Sequence, residues 1–260
     1  MARNRNRRRG AGGGPVLLFG LHAVTAALAN PRRDLKRLLA TPEAADRHAD
    51  ALAAAARQGQ RAPARESVDR ATRESRLPPG AVHQGVAVEA APLAGPALET
   101  VLARDGACRV LFLDRVTDPH NVGAIVRSAA AFGVAAVVVT DRHAPPETGV
   151  LAKAASGALE ALPPTRVPNL ARAVAAARAA GLWCLGLDDS AATPLAAAAP
   201  PARAGLVLGA EGPGLRRLTR ESCDALVHLP TAPGMPSLNV SNAAAVALYE
   251  VVRSAPPTMP

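Results

Sequence analysis

Residues 109–140 read RVLFLDRVTDPHNVGAIVRSAAAFGVAAVVVT, and this stretch decides the fold class. The apolar run at 109–114 predicts a buried strand. Residues 121–132 carry apolar side chains at helical spacing and are followed by Gly133 as a stop. A second apolar run at 134–140 predicts another strand. A strand, a helix and a strand in this order indicate a βαβ unit with parallel strands.

The same alternation continues along the second half of the chain. Apolar runs predict strands at 182–187, 206–209 and 225–229, and helical spacing predicts helices at 170–180 and 240–253. We therefore predict an α/β fold with a mostly parallel sheet. In such a sheet, ligands bind beyond the carboxyl ends of the strands.

A smaller α/β unit is predicted in the first part of the chain. Strands are expected at 16–19, 35–40 and 82–89, and helices at 21–29 and 42–57. Prolines and glycines punctuate these elements, as they do at turns.

The chain is expected to have four regions. Residues 1–15 form a basic disordered tail, residues 16–90 a first domain, residues 91–106 a linker that contains prolines and glycines, and residues 107–255 a second domain.

The composition excludes several classes of protein. The chain has 260 residues, of which 49% are hydrophobic and 20% charged, and it contains no run of about 18 apolar residues that would predict a membrane span. The N-terminal sequence does not resemble a secretion signal. Three cysteines, without a CxxC pair or a histidine at ligand spacing, indicate reduced thiols and no metal site. We expect a cytoplasmic protein.

The charge of the chain favours a polyanionic partner. The net charge is +9, and five arginines with no acidic residue lie among the first nine residues. An arginine block of this kind commonly binds nucleic acid, although it can also serve only as a solubilising tail. The rest of the chain is also basic, which favours RNA. Only five aromatic residues are present, so recognition is expected to use charge, shape and hydrogen bonds rather than base stacking.

The first segment at a predicted strand end is residues 114–127. Asn121 stands where the cap of the following helix is expected. Arg127 lies on a helix that is otherwise made of small and apolar residues, and a cation there generally needs a partner. The segment is therefore interpreted either as an anion or substrate clamp or as an ordinary capped helix.

The second and third segments are residues 209–215 and 229–242. Glu211 lies in a glycine-rich turn that lacks the GxGxxG spacing of dinucleotide folds, and it is either a ligand-binding carboxylate or a surface residue. In the third segment, more polar side chains precede the last helix than capping requires. They are Ser237, Asn239, Ser241 and Asn242. The backbone around Leu229 and Leu238 can hydrogen-bond an adenine edge while the two side chains cover its faces.

Taken together and in this order, the three segments resemble the motifs of the SpoU branch of the SPOUT superfamily. This branch, also called the TrmH family, contains RNA ribose 2'-O-methyltransferases that use S-adenosylmethionine. The stretches FGLHAV at 19–24 and GAVHQGVAV at 80–88 are similar to the family's RNA-binding domain. GAVHQG at 80–85 and DPHNVGAIVRSA at 118–129 favour similarity to the bacterial branch that methylates a guanosine ribose in 23S rRNA over the tRNA enzymes.

The resemblance implies a fold and a set of partners. It implies a SPOUT-type parallel sheet with a C-terminal trefoil knot, preceded by an L30e-like domain that binds the substrate RNA. It also implies a homodimer whose active site is completed across the interface.

The resemblance also implies roles for residues of this chain. S-adenosylmethionine would be bound by Gly209, Leu229 and Leu238. The catalytic and substrate-binding set would be Asn121, Arg127, Glu211, Ser237 and Asn239. In this set, Arg127 would activate the 2'-hydroxyl. For a guanidinium cation, stabilising the developing alkoxide or gripping the adjacent phosphate is physically easier. Glu211 would orient Arg127 or Asn121. Methyl transfer needs positioning and help with proton removal, and no metal is expected.

Two other functions are compatible with the sequence. A tRNA ribose methyltransferase would use the same site, and only the first domain discriminates between the substrates. A catalytically silent RNA-binding or assembly factor would use only the tail and the first domain. A dehydrogenase is disfavoured because the chain lacks GxGxxG followed by an acidic residue about 20 positions later.

Overall fold

The computed structural model describes most of the chain as two β-sheets with helices packed around them. It covers residues 14–60, 63–68, 77–78, 81–232, 234 and 237–254. The predicted basic tail, residues 1–15, lies outside these ranges apart from Gly14 and Pro15.

The first sheet has the strand order β1-β4-β2-β3. Its strands are β1 (Val16–Phe19), β2 (Leu35–Ala40), β3 (Ala64–Ser67) and β4 (Val86–Ala90). Strand β4 is antiparallel to β1 and β2, whereas β2 and β3 are parallel. The helices of this unit are α1 (Leu21–Ala29), α2 (Pro42–Arg47) and α3 (Ala49–Gln58).

Two predictions for this unit need correction. The helix predicted at 42–57 is divided at His48, whose ψ of 13° departs from helical geometry. The strand predicted at 82–89 begins only at Val86, because Gln84 and Gly85 form a turn with positive φ values of 53° and 83°. A side chain at Gly85 would also overlap Ala44, so the turn packs closely against α2.

The second sheet is parallel throughout and has the strand order β10-β8-β9-β5-β6-β7. Its strands are β5 (Cys108–Asp114), β6 (Ala136–Thr140), β7 (Thr165–Val167), β8 (Trp183–Leu187), β9 (Arg203–Gly209) and β10 (Ala225–Val227). The predicted α/β class with a mostly parallel sheet is confirmed. Strand β7 was not predicted, because three residues are too few for a periodic signal.

Helices cover both faces of this sheet. They are α4 (Leu98–Leu102), α5 (Pro119–Ala131), α6 (Gly149–Ala155), α7 (Ala158–Ala161), α8 (Leu170–Ala179), α9 (Leu195–Ala198), α10 (Arg217–Glu221) and α11 (Val240–Ser254). The sequence predicted α5, α8 and α11. The other helices have seven residues or fewer, which is too short for a helical repeat to be recognised.

The side chains of the central strand β5 contribute to two buried clusters, one on each face of the second sheet. Leu111 and Leu113 pack in one buried cluster, and Val110 and Phe112 pack in the other. Because side chains alternate across a strand, a continuous apolar run indicates that both faces are covered. No described helix is long and apolar enough to span a membrane.

The segment predicted as a linker, residues 91–106, packs against the second sheet. It contains α4, whose Val101 is fully buried in the second core. The hydroxyl of Thr165 donates a hydrogen bond of 2.9 Å to the carbonyl of Pro96. The connection between the two sheets is therefore a packed segment in this structure.

A buried ion network lies between the two sheets. Arg33 is fully buried and pairs with Glu147 and Glu160 at 2.5 Å each. Burial raises the pKa of Glu147 above its ordinary value of 4.5, and the attraction of Arg33 offsets only part of this effect. One fully buried guanidinium thus binds two carboxylates that are themselves almost buried.

The raised pKa of Glu147 predicts a pH-dependent effect of Glu147→Gln. A carboxyl whose pKa is raised on folding costs stability as the pH rises above its unfolded value, and glutamine does not ionise. We expect the unfolding free energy of E147Q relative to the wild type to improve as the pH rises above about 4.5. Urea unfolding at several pH values measures this, with the exposed Glu221→Gln as the control. A difference that stays constant with pH contradicts the assignment.

Candidate active site

The three polar segments lie at one edge of the second sheet. Strands β5, β9 and β10 are parallel, so the segments that follow Asp114, Gly209 and Val227 leave the sheet on the same side. The structure therefore brings together residues that are separated by about a hundred positions in the sequence.

A cavity of about 500 Å³ opens between the ends of β8, β9 and β10. Five of the predicted site residues line it: Gly209, Glu211, Leu229, Ser237 and Leu238. Small-molecule sites are typically concave spaces of about 300–1,000 Å³ lined by apolar side chains and a few polar groups. The cavity therefore has the size and lining of a small-molecule site.

Glu211 joins the three segments through its side chain. Its Oε1 accepts hydrogen bonds from Asn239 Nδ2 at 2.7 Å, from the backbone N–H of Val240 at 3.2 Å and from Asn121 Nδ2 at 3.3 Å. Asn239 Nδ2 also donates to Asn121 Oδ1 at 3.0 Å. One carboxylate thus fixes two amides that come from the starts of α5 and α11.

The predicted cap of α5 was wrong. The cap is Asp118, whose side chain accepts a hydrogen bond of 3.0 Å from the N–H of His120. Pro119 starts the helix because its fixed φ suits the first helical position. The helix therefore begins two residues before Asn121, and the Asn121 side chain is free to reach Glu211.

Asn239 both caps α11 and takes part in the site. Its Oδ1 accepts hydrogen bonds from the N–H groups of Ser241 at 3.0 Å and Asn242 at 3.4 Å, and from the Ser241 hydroxyl. Its Nδ2 faces Glu211. This double use accounts for part of the excess of polar side chains before the helix, where Ser237 lies exposed on the cavity wall.

Arg127 is exposed on α5, and within the described part of the chain it has no hydrogen bond or ion pair. Of the two partners expected for Glu211, the structure has Asn121 in contact with the carboxylate and not Arg127. The guanidinium is therefore available to an external anion or to another chain.

The turn that carries Glu211 is folded tightly against β9. A side chain at Gly209 would overlap the backbone of Gly214 and Leu215, and Ala210 and Gly214 form a β-bridge. Gly212 has a φ of 81°, which favours glycine. Glycine is thus required at Gly209 by close packing and at Gly212 by conformation.

Two residues that anchor this turn were missed in the sequence. Asp114 is fully buried at the end of β5, where its carboxylate accepts hydrogen bonds from Arg216 Nε at 2.6 Å and the Arg216 N–H at 3.0 Å. An acidic residue at the end of an otherwise apolar strand is a signal that could have identified it.

A polar group at the opposite rim of the cavity was also missed. Asp188 accepts hydrogen bonds from the N–H and hydroxyl of Ser190 and pairs with Arg220 at 3.2 Å. Burial raises the pKa of Asp188, but these contacts outweigh it, so that the pKa lies below its ordinary value. The signal was two consecutive aspartates directly after the strand at 183–187.

Two family models match the chain. The model described as SpoU rRNA Methylase family matches residues 109–249, which is more than half of the chain, and the model described as RNA 2'-O ribose methyltransferase substrate binding matches residues 17–96. The chain belongs to the SpoU rRNA methylase family. The resemblance seen in the three sequence motifs is confirmed.

Relatives of this SpoU-family protein match it over most of their length. The 23S rRNA (guanosine-2'-O-)-methyltransferase RlmB of Vibrio cholerae is 38% identical over 241 residues, which cover 91% of this chain and 96% of the relative. The protein of the same name in Ralstonia nicotianae is 41% identical, with coverage of 91% and 95%.

A solved structure is similar to the whole fold. The SpoU methyltransferase AviRb from Streptomyces viridochromogenes, in complex with the cofactor AdoMet, is 28% identical to this chain. The TM-score is 0.74, and the match covers 96% of this SpoU-family chain and 93% of AviRb.

The cysteines of this SpoU-family protein are not placed as nucleophiles. Burial raises the pKa of Cys184 and of Cys223 to about 12, and the nearby carboxylate of Asp224 adds to the effect. Because the thiolate is the reactive form, both side chains are unreactive near neutral pH. Among the described residues, no group of histidine, cysteine and acidic side chains could hold a metal ion.

The close packing at Gly209 predicts the effect of Gly209→Ala. The added methyl group would push the turn away from β9 and into the cavity. We expect affinity for S-adenosylmethionine to fall by at least about tenfold, as measured by calorimetry.

Gly181→Ala is the matched control for this substitution. Unlike Gly209, Gly181 has a positive φ, of 82°, and no atom lies within 4 Å of the added methyl group. We expect a loss of about 1–2 kcal/mol in stability with unchanged affinity. Wild-type affinity in G209A would contradict the placement of the cofactor against this turn.

Proposed function

We propose that this protein transfers a methyl group from S-adenosylmethionine to the 2'-oxygen of a guanosine ribose in 23S rRNA. The observation that carries the proposal is the junction at Glu211, which joins the polar residues of three motifs beside a cavity of suitable size. The proteins named RlmB, which match 91% of this chain, support the choice of substrate.

The cavity residues fit S-adenosylmethionine. Gly209 lets the turn at Gly214 pack against β9 and so shapes the cavity wall, and Leu229 and Leu238 offer apolar surfaces on that wall to a flat adenine. Asp188 and Glu211 add carboxylates that suit a positively charged ligand. The cofactor supplies a methyl group on a positively charged sulfur.

The polar residues act on the attacking ribose. The guanidinium of Arg127 stabilises negative charge that develops on the 2'-oxygen or grips the adjacent phosphate. Glu211 holds the amides of Asn121 and Asn239 in place, and these amides, together with the Ser237 hydroxyl, orient the target nucleotide. Positioning of this kind makes the displacement effectively unimolecular.

We propose that the two sheets correspond to two domains with different roles. Residues 16–90 form an L30e-like domain that binds the substrate RNA, and residues 107–255 form the SPOUT methyltransferase domain with a trefoil knot. Residues 91–106 connect the two domains. The matched ranges 17–96 and 109–249 support this division. The excess of positive charge, and the arginines of the tail, would contribute RNA affinity by releasing counterions.

A homodimer would complete the site. Val246 and Tyr249 are 48% and 55% exposed on one face of α11, and Tyr249 packs edge-on against Phe132 at the end of α5. The unpartnered Arg127 lies on the same α5. A second copy that covers this apolar face would therefore approach Arg127.

The test of the function is methyl transfer from labelled S-adenosylmethionine to 23S rRNA and to bulk tRNA in parallel. Both RNAs are taken from cells that lack the gene, so that the target is unmodified. We expect label only in 23S rRNA, at a single ribose 2'-oxygen of a guanosine. Label in tRNA alone would show that tRNA is the substrate instead of 23S rRNA, and label in neither RNA would contradict the proposed function.

Arg127→Ala tests the proposed role of the free arginine. Removal of the cation from the attacking oxygen is expected to lower kcat by at least about 100-fold, with S-adenosylmethionine affinity retained. Arg172→Ala, which removes an arginine exposed on α8, is the control and should keep wild-type turnover. A weak loss of turnover in R127A would remove Arg127 from the catalytic set.

The dimer is tested with Val246→Glu and Tyr249→Glu. A charge buried in an apolar interface is unfavourable, so both variants should shift the sedimentation coefficient to that of a monomer and lose methyl transfer. Leu218→Glu is the control, because Leu218 is 57% exposed on α10. If both variants dimerise as tightly as the wild type, this face of α11 is not the dimer interface.

A further inference from the structure

The most extensive buried polar contact in the described residues lies outside the proposed active site. The Arg33 side chain is 0% exposed, and all three of its nitrogens donate hydrogen bonds. Nε and Nη2 bind the carboxylate of Glu160, and Nη1 binds Glu147 at 2.5 Å and the carbonyl of Ala91 at 2.9 Å.

This network joins three parts of the chain. Arg33 precedes β2 in the first sheet, Glu147 and Glu160 belong to the second unit, and Ala91 lies in the connecting segment. Glu147 Oε2 also accepts a hydrogen bond from the N–H of Leu93 at 2.8 Å. Glu147 therefore binds both the first unit, through Arg33, and the connecting segment, through Leu93.

Neighbouring residues of the first unit reinforce the contact with Glu160. Asn30 Nδ2 donates to Glu160 Oε2 at 2.7 Å, and Arg32 Nη2 donates to the carbonyl of Glu160 at 3.0 Å. Three side chains of the loop after α1 thus donate hydrogen bonds to Glu160, namely Asn30, Arg32 and Arg33.

Close packing surrounds the network. A side chain at Gly149 would overlap the carbonyl of Leu17 and the ring of Phe19, so α6 lies directly on β1. A side chain at Gly157 would lie 3.0 Å from the methyl group of Ala26 on α1, which is a tight contact. The two units therefore meet through one buried cluster.

A network of this kind specifies one arrangement of the two units. Apolar surfaces tolerate small rotations, whereas a buried guanidinium with a planar fork needs its acceptors at fixed positions. Any rotation that separated Arg33 from either glutamate would leave a buried charge without its partner, which is strongly unfavourable.

We propose that Arg33 is a positioning residue that fixes the RNA-binding unit relative to the methyl-transfer site, and so determines which ribose of the bound RNA reaches that site. The inference rests on the proposed function, because the reaction supplies its readout. Arg33 has no contact with the cavity and acts only through the angle between the units.

The test compares Arg33→Lys with Arg203→Lys. Lysine keeps the charge but cannot form the planar fork. Arg203 is a matched control, because it also donates several hydrogen bonds but only to carbonyls of the second unit and the connecting segment. Glu160→Gln, which keeps the shape of its side chain, is a second variant that tests the same contact if R33K folds poorly.

Methylation is measured with 23S rRNA, and each labelled ribose is mapped. In R33K and E160Q we expect kcat/KM for the RNA to fall by at least about tenfold, with label spread to other riboses and unchanged affinity for S-adenosylmethionine. R203K should lose thermal stability but keep its label on one ribose. Label confined to one ribose at the wild-type rate in R33K and E160Q would overturn the proposal.

A distance measurement separates this inference from the proposed function. Spin labels at positions 50 and 172, both exposed, report the separation of the two units. We expect a narrow distribution in the wild type and R203K and a broad one in R33K, whether or not the RNA is methylated. An equally narrow distribution in R33K would overturn the positioning role, whereas absent methyl transfer in the wild type would overturn only the proposed function.

Discussion

The Glu211 carboxylate is the interaction on which the site depends. It accepts hydrogen bonds from Asn121, Asn239 and the N–H of Val240, and so ties together the segments that follow β5, β9 and β10. Hydrogen bonds to an ionised acceptor are shorter and stronger than neutral ones. Because these partners lie at or within the first turns of two helices, the direction of α5 and α11 and the position of the Glu211 turn are set together.

The parallel sheet makes this junction possible. Its strands end at one edge, and the turn after β9 is fixed there by the close packing of Gly209 and by the ion pair between the buried Asp114 and Arg216. A second constraint acts at a distance, where Arg33 holds the first unit against the second. The site and the proposed RNA-binding unit are thus both held by buried or close-packed groups rather than by flexible loops.

Much of the fold could be predicted from periodicity, because long apolar runs and helical spacing are local signals. Strand β1 and helix α1 were predicted with their observed bounds, and Glu211 and Asn239 were identified because polar residues follow strand ends. The cap of α5 was misplaced because Asn121 and Asp118 are both good caps, and the effect of Pro119 was overlooked. The partners of Arg33 are 114 and 127 residues away, so nothing local identifies them.

The most direct test of this account is the rate of single-turnover methyl transfer to 23S rRNA by Glu211→Gln, measured beside its affinity for S-adenosylmethionine. Glutamine keeps the shape of the side chain and one acceptor oxygen but removes its negative charge, so the hydrogen bonds that hold Asn121 and Asn239 become weaker. We expect the single-turnover rate to fall by about 100-fold or more and the affinity for S-adenosylmethionine to weaken by less than about tenfold. A wild-type rate in E211Q would contradict the claim that this carboxylate assembles the site.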